Sequence, residues 1–108
     1  MADFEFTVGA TRPFFAVTIK SALTNAAVSL VGATVLFFWA EEKDLLTAIV
    51  DGGTVNVTSA ADGECEYRWG ASDLPRQGTY TAIFEVEHSD GKKQPVRIEG
   101  VVVKPAIG

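Results

Sequence analysis

The sequence predicts an all-β protein, an immunoglobulin-like antiparallel β-sandwich of about seven to nine strands in one domain spanning residues 1–108. Three observations predict it. In residues 64–69, Cys65, Tyr67 and Trp69 fall on one face of an extended chain, and Glu64, Glu66 and Arg68 fall on the other. In residues 79–87, Tyr80, Ala82, Phe84 and Val86 alternate with Thr79, Thr81, Ile83, Glu85 and Glu87. Alternation with a period of two marks half-buried antiparallel strands. The approach to the second segment, Leu74-Pro75-x-x-Gly78-x-Tyr80, places a tyrosine at the start of a late strand after a tight corner. That is the position of the tyrosine corner in immunoglobulin-like sandwiches.

The elements follow in order. Residues 3–8 alternate, with Phe4, Phe6 and Val8 on one side, and predict a first strand. The Gly9-Ala10-Thr11-Arg12-Pro13 run ends it, and Pro13 belongs at a strand start or on an edge because it cannot donate to a ladder. Phe15, Val17 and Ile19 mark a second strand. Residues 21–30 are small and polar, with Asn25 at a turn. Residues 33–40 form the strongest strand: Val35, Phe37 and Trp39 share one face, Leu36 and Phe38 the other. A strand apolar on both faces is central or faces a partner.

Glu41-Glu42-Lys43-Asp44 is expected as a charged, solvated loop. Residues 45–50 fit a strand or a helical turn equally well. Asp51-Gly52-Gly53 is expected as a turn, and residues 54–58 as a short strand carrying Val55 and Val57. Asp62-Gly63 is a hairpin signal. Residues 71–74 suggest one helical turn capped by Ser72. A second hairpin turn, Ser89-Asp90-Gly91-Lys92, precedes a last strand over residues 94–103, interrupted at Gly100 by a bulge.

Composition narrows the function. The chain has 108 residues, 47% of them hydrophobic, which is enough for a core in one domain. It carries 14 acidic and 9 basic residues, a net charge of -5. An acidic chain without a basic cluster does not suit nucleic acid or anionic membranes. The longest apolar run, residues 35–40, is far short of the ~20 residues of a membrane helix. The opening Met-Ala-Asp-Phe-Glu-Phe has acids where a secretory signal needs positive charge. With a single cysteine, no intrachain disulfide forms, and folding in a reducing cytoplasm is the expectation.

No catalytic set emerges. His88 is the only histidine and has no second His or Cys near it in sequence. Cys65 shares the inward face with Tyr67 and Trp69, and its neighbours Glu64 and Glu66 would raise a thiol's pKa. Asp44, Asp51, Asp62, Asp73 and Asp90 each sit in a separate expected turn, with no calcium-loop spacing. Asn56-Val57-Thr58 matches a glycosylation sequon inside an expected strand. The expectation is a chain that is not an enzyme and carries no cofactor or metal. Phe14, Phe38 and Ile83 fall opposite the core positions and are the candidate interface residues: together in solvent they would form an apolar patch. The alternative is a second face covered by other strands or loops.

Five segments, in order, carry a resemblance: residues 9–14 (GATRPF), 28–38 (VSLVGATVLFF), 62–69 (DGECEYRW), 78–86 (GTYTAIFEV) with Asp90-Gly91-Lys92, and the closing strand with Pro95. The chain resembles the Ig-like N-terminal domain of the phage baseplate upper protein family and similar small tailed-phage virion domains. Ser29 stands where that pattern usually has Asp. The resemblance implies a structural role in the virion, in baseplate, tail, neck or capsid surface. Its implied partners are other virion proteins, with assembly as a homo-oligomer or within a larger complex. The other class the fold allows is a carbohydrate- or host-surface-binding module, which needs exposed aromatics to stack on sugars. Trp39 and Trp69 are its only tryptophan candidates, and both alternate onto core faces.

Overall fold

The computed structural model describes residues 5–10, 14–21, 23–70 and 72–105. Among the described residues, eight strands form two sheets: β1 (Glu5–Thr7), β2 (Phe15–Thr18), β3 (Thr34–Glu41), β4 (Val50–Thr54), β5 (Asn56–Ser59), β6 (Glu64–Tyr67), β7 (Gly78–Glu87) and β8 (Lys93–Lys104). One sheet has the order β1-β8-β7-β3-β4 and the other β2-β6-β5. All pairings are antiparallel except β1 with β8, which is parallel. The central pair of the large sheet, one strand of the small sheet and the returning strands give the immunoglobulin-like arrangement.

The core lies where the inner faces meet. Phe15 of β2 is fully buried and touches Phe37 and Trp39 of β3, Phe84 of β7, Trp69, and Phe6 of β1, with centroids 5.1 to 6.1 Å apart. Antibody domains staple this region between the sheets with a disulfide. Here an aromatic cluster holds it, and Cys65 is a buried free thiol. Trp39 stacks on Tyr80 at 4.6 Å and 5°, and Phe37 on Tyr67 at 4.1 Å and 16°. Aromatic pairs of this kind add ~0.5–1.5 kcal/mol each beyond their burial.

The tyrosine corner forms as the sequence predicts: the Tyr80 hydroxyl donates to the Arg76 carbonyl at 2.7 Å. Gly100 makes the expected bulge in β8, where the register against β7 shifts between Tyr80 and Ala82. The Asp62-Gly63 and 89–92 turns stand as expected, with His88 N–H bonded to the Lys92 carbonyl.

Four local expectations are corrected. Residues 51–53 are strand β4, not a turn. Their glycines serve a bulge against Phe37 and Phe38, and Gly52 at φ +80 takes the left-handed conformation that a bulge needs. The expected strand 54–58 is two pieces: Thr54 ends β4, Val55 lies between the strands, and β5 joins the other sheet. Glu41 is not solvated. It ends β3 as a buried residue paired with Arg76 at 2.9 Å, and only Glu42–Asp44 form a short 3-10 turn. Residues 72–74 make a bend instead of a helical turn, because the Asp73 carboxylate folds the chain back on itself. Phe4, Pro13 and Ala71 lie outside the described residues.

Candidate interaction surface

The outer face of the large sheet is built by strand alternation. Inner positions Val35, Phe37 and Trp39 of β3 are buried, so Leu36 and Phe38 point outward and are half-buried. On β7, Phe84 and Val86 point inward and Ile83 outward. The ladder then places four residues in one row: Asp51 pairs with Phe38, Phe38 with Ile83, and Ile83 with Arg97. An apolar pair thus sits at the centre of the sheet between an acid and a base.

A hollow of about 220 Å³ opens beside this pair, lined by Phe38, Ala40, Leu45, Ala48, Thr81 and Ile83, with Arg97 at its rim. The 3-10 turn and the loop after it bring up Leu45, 47% exposed, and Leu46, 99% exposed. An exposed leucine such as Leu45 beside a half-buried Phe–Ile pair is the surface pattern of a contact site. Arg97 Nε binds Glu99 at 2.6 Å, and Lys93 meets Glu85 at 3.9 Å.

Of the three candidate interface residues, the structure brings Phe38 and Ile83 together and sets Phe14 apart. Phe14 precedes β2 in the small sheet, where the Arg68 guanidinium lies over its ring at 5.3 Å. The three therefore do not form one patch. Sequence reasoning missed Asp51 and Arg97 as companions of the pair, because Asp51 read as a turn residue. The apolar outer positions of β3 and β7 were the available signal.

The remaining candidates occupy structural positions. Cys65 is buried on the inner face of β6, and desolvation pushes its thiol up to about 11. His88 is half-buried, with Nε2 3.1 Å from Gln94 Oε1. Among the described residues no group of three His, Cys, Asp or Glu side chains could hold a metal ion. Asn56 opens β5 and is exposed. Asp73 does more than shape its own turn. Tyr67 Oη–H donates to its Oδ2 at 2.6 Å, and Gly70 N–H donates to the same oxygen at 2.7 Å. The Asp73 carbonyl accepts Trp39 Nε1–H at 2.9 Å. Burial first, and then the Asp73 bond and charge, hold the Tyr67 phenol well above its usual range.

A second hollow of about 560 Å³ lies between β2 and β8, where Val17, Cys65, Val96 and Ile98 meet Thr18, Lys20, Thr58 and Glu64. No described helix is long and apolar enough to cross a membrane.

No family model matches the sequence, and no curated protein matches it. Among solved structures it is similar to CopC from Methylosinus trichosporium OB3b, with a TM-score of 0.54 and 15% identity over 100% of this chain and 89% of that one. At that identity the likeness speaks for the β-sandwich fold alone.

Proposed function

We propose that this chain is a non-enzymatic structural component of a tailed-phage virion, acting through protein–protein contact in the baseplate, tail, neck or capsid surface. One observation carries the assembly part of this reading. The half-buried Phe38–Ile83 pair lies on the outer face of the large sheet, in one hollow with the 47% exposed Leu45. Apolar surface grouped in this way is stabilised by covering it. The ordered resemblance to small tailed-phage virion domains supplies the particle. The partners are then other virion proteins, and the chain folds in the host cytoplasm before assembly.

The carbohydrate-binding reading has less support. Trp39 and Trp69 are 1% and 5% exposed, so neither ring is available to stack on a sugar.

Mass spectrometry of particles purified from the source of this sequence tests the proposal. The chain is expected in a fixed copy number per particle, with light scattering showing a complex with at least one virion protein. Absence from the particles, together with no binding to any virion component, overturns it.

A further inference from the structure

The outer row of the large sheet reads Asp51, Phe38, Ile83, Arg97 across β4, β3, β7 and β8. In charge it runs negative, apolar, apolar, positive. This order has a symmetry consequence. Let two copies face each other through this sheet, related by a two-fold axis parallel to the strands and midway between β3 and β7. The axis reverses strand order but keeps level along the strands, so β4 faces the second copy's β8 and β3 faces its β7. Each Asp51 then meets the second copy's Arg97, and Phe38 packs on the second copy's Ile83. A two-fold axis perpendicular to the strands would instead set Arg97 on Arg97 and Asp51 on Asp51. Like charges in register disfavour that pairing.

We infer that the outer face of the β8-β7-β3-β4 sheet binds a second copy of this chain across a two-fold axis parallel to the strands. The inference rests on the assembly reading above and names the partner for its contact surface. An isologous contact uses one patch twice, so each favourable pair is made twice. Facing sheets pack about 10 Å apart; the Ala40–Thr81 end of this face is already covered, with Glu42 reaching Gly100 across it, so the contact is made at the row of Phe38 and Ile83 and on the side away from that end. Both charged members reach solvent: Asp51 is exposed, and the Arg97 side chain is 49% exposed. Glu99 engages the Arg97 Nε, and the terminal N–H groups of the fork remain to bind a second carboxylate. The hollow beside Phe38 and Ile83 has room for an apolar side chain of the second copy.

Charge reversal tests both the partner and the axis. The wild-type chain is expected to dimerise in sedimentation equilibrium. Asp51→Arg and Arg97→Asp are each expected to raise the dimer dissociation constant by about tenfold or more, because each turns two attractive pairs into two repulsive ones. Mixed one to one, these two self-repelling variants should form a heterodimer, since every cross pair is again Arg with Asp. The double variant should dimerise by itself. Circular dichroism reports whether each variant folds. If a reversal fails to fold, Asp51→Asn and Arg97→Gln take its place, each weakening the dimer a few-fold without rescuing the other.

A chain that stays monomeric at all concentrations overturns the inference. So does a dimer that ignores both reversals, or a mixture that fails to associate. None of these outcomes touches the assembly reading, which is overturned by absence of the chain from purified particles together with no binding to any virion component.

Discussion

Asp73→Ala is expected to cost about 3 kcal/mol of stability. Two donors, Tyr67 Oη–H at 2.6 Å and Gly70 N–H at 2.7 Å, converge on the same oxygen, Oδ2. Hydrogen bonds to a charged group contribute about 1.5–3 kcal/mol each. Asp73 is only half-buried, so water takes up part of the loss, and the lower end of that range applies to both. Tyr67 is buried, and its hydroxyl loses its acceptor in the variant. Asp73→Asn keeps a carbonyl oxygen in place of Oδ2 and loses only the charge, for about 1 kcal/mol. Tyr67→Phe removes one bond, again for about 1 kcal/mol. If Asp73 holds the corner through Tyr67, the Asp73→Ala and Tyr67→Phe costs are not additive, and a double-mutant cycle gives a coupling of about 1 kcal/mol or more. Urea unfolding followed by tryptophan fluorescence measures wild type, the three single variants and the double variant, with Trp39 as a built-in reporter because its indole N–H binds the Asp73 carbonyl. An Asp73→Ala variant within about 0.5 kcal/mol of wild type, or strict additivity, refutes the argument.

Two further outcomes test the core. Gly63→Ala should destabilise by more than about 3 kcal/mol in urea unfolding, since its Cβ would lie 2.6 Å from the Val28 carbonyl oxygen and 2.9 Å from that of Ile19, at φ +71; Gly91→Ala, at φ +85 in open space, should cost only about 1 kcal/mol in the same measurement. Burial raises the Cys65 thiol from 9.0 to about 11, so the folded chain holds a proton that the unfolded chain releases; stability is full below about pH 9 and falls by about 1.4 kcal/mol per pH unit between 9 and 11. Cys65→Ala should flatten that part of the alkaline slope in denaturation measured at pH 7, 9 and 10.5, and an unchanged slope counts against the assignment.

How much of this was legible in the sequence depended on whether one local signal acted alone. Residues 64–67 and 78–87 read correctly as strands because alternation, turn glycines and the Tyr80 corner all agreed, and Trp69 keeps its inward direction although β6 ends at Tyr67. β4 was missed because Asp-Gly-Gly is strong turn chemistry, while its pairing is decided by the register against β3, with a bulge that local sequence does not show. Glu41 looked solvated as one of four charges, and its burial is made tolerable by Arg76, brought back by the corner, with Lys43 at 3.8 Å on the other oxygen. The candidate surface was half legible. Alternation gave Phe38 and Ile83 their outward direction, but their adjacency is a matter of register, which sequence does not print. Phe14 shared the outward signal and landed on the other sheet.

The edges of the sandwich bear on where a partner docks. A free edge invites strand addition, and natural sheets blunt their edges with bulges, lysines, prolines and short strands. β4 carries the Gly52 bulge, and β5 is four residues long with a register shift of its own. β2 is four residues long. β8 pairs with β1 only through Val102, Val103 and Lys104, and its uncovered stretch presents Lys93, Pro95 and Arg97, with no N–H at the proline. Every edge thus bears at least one of these protections. The outer face of β3 and β7 carries Glu85 and Glu87 toward one end, while at the level of Phe38 and Ile83 it is apolar. A chain that blunts its edges and leaves this pair open directs association to the face, and the Asp51 and Arg97 charges at either end of the row then select the copy that fits.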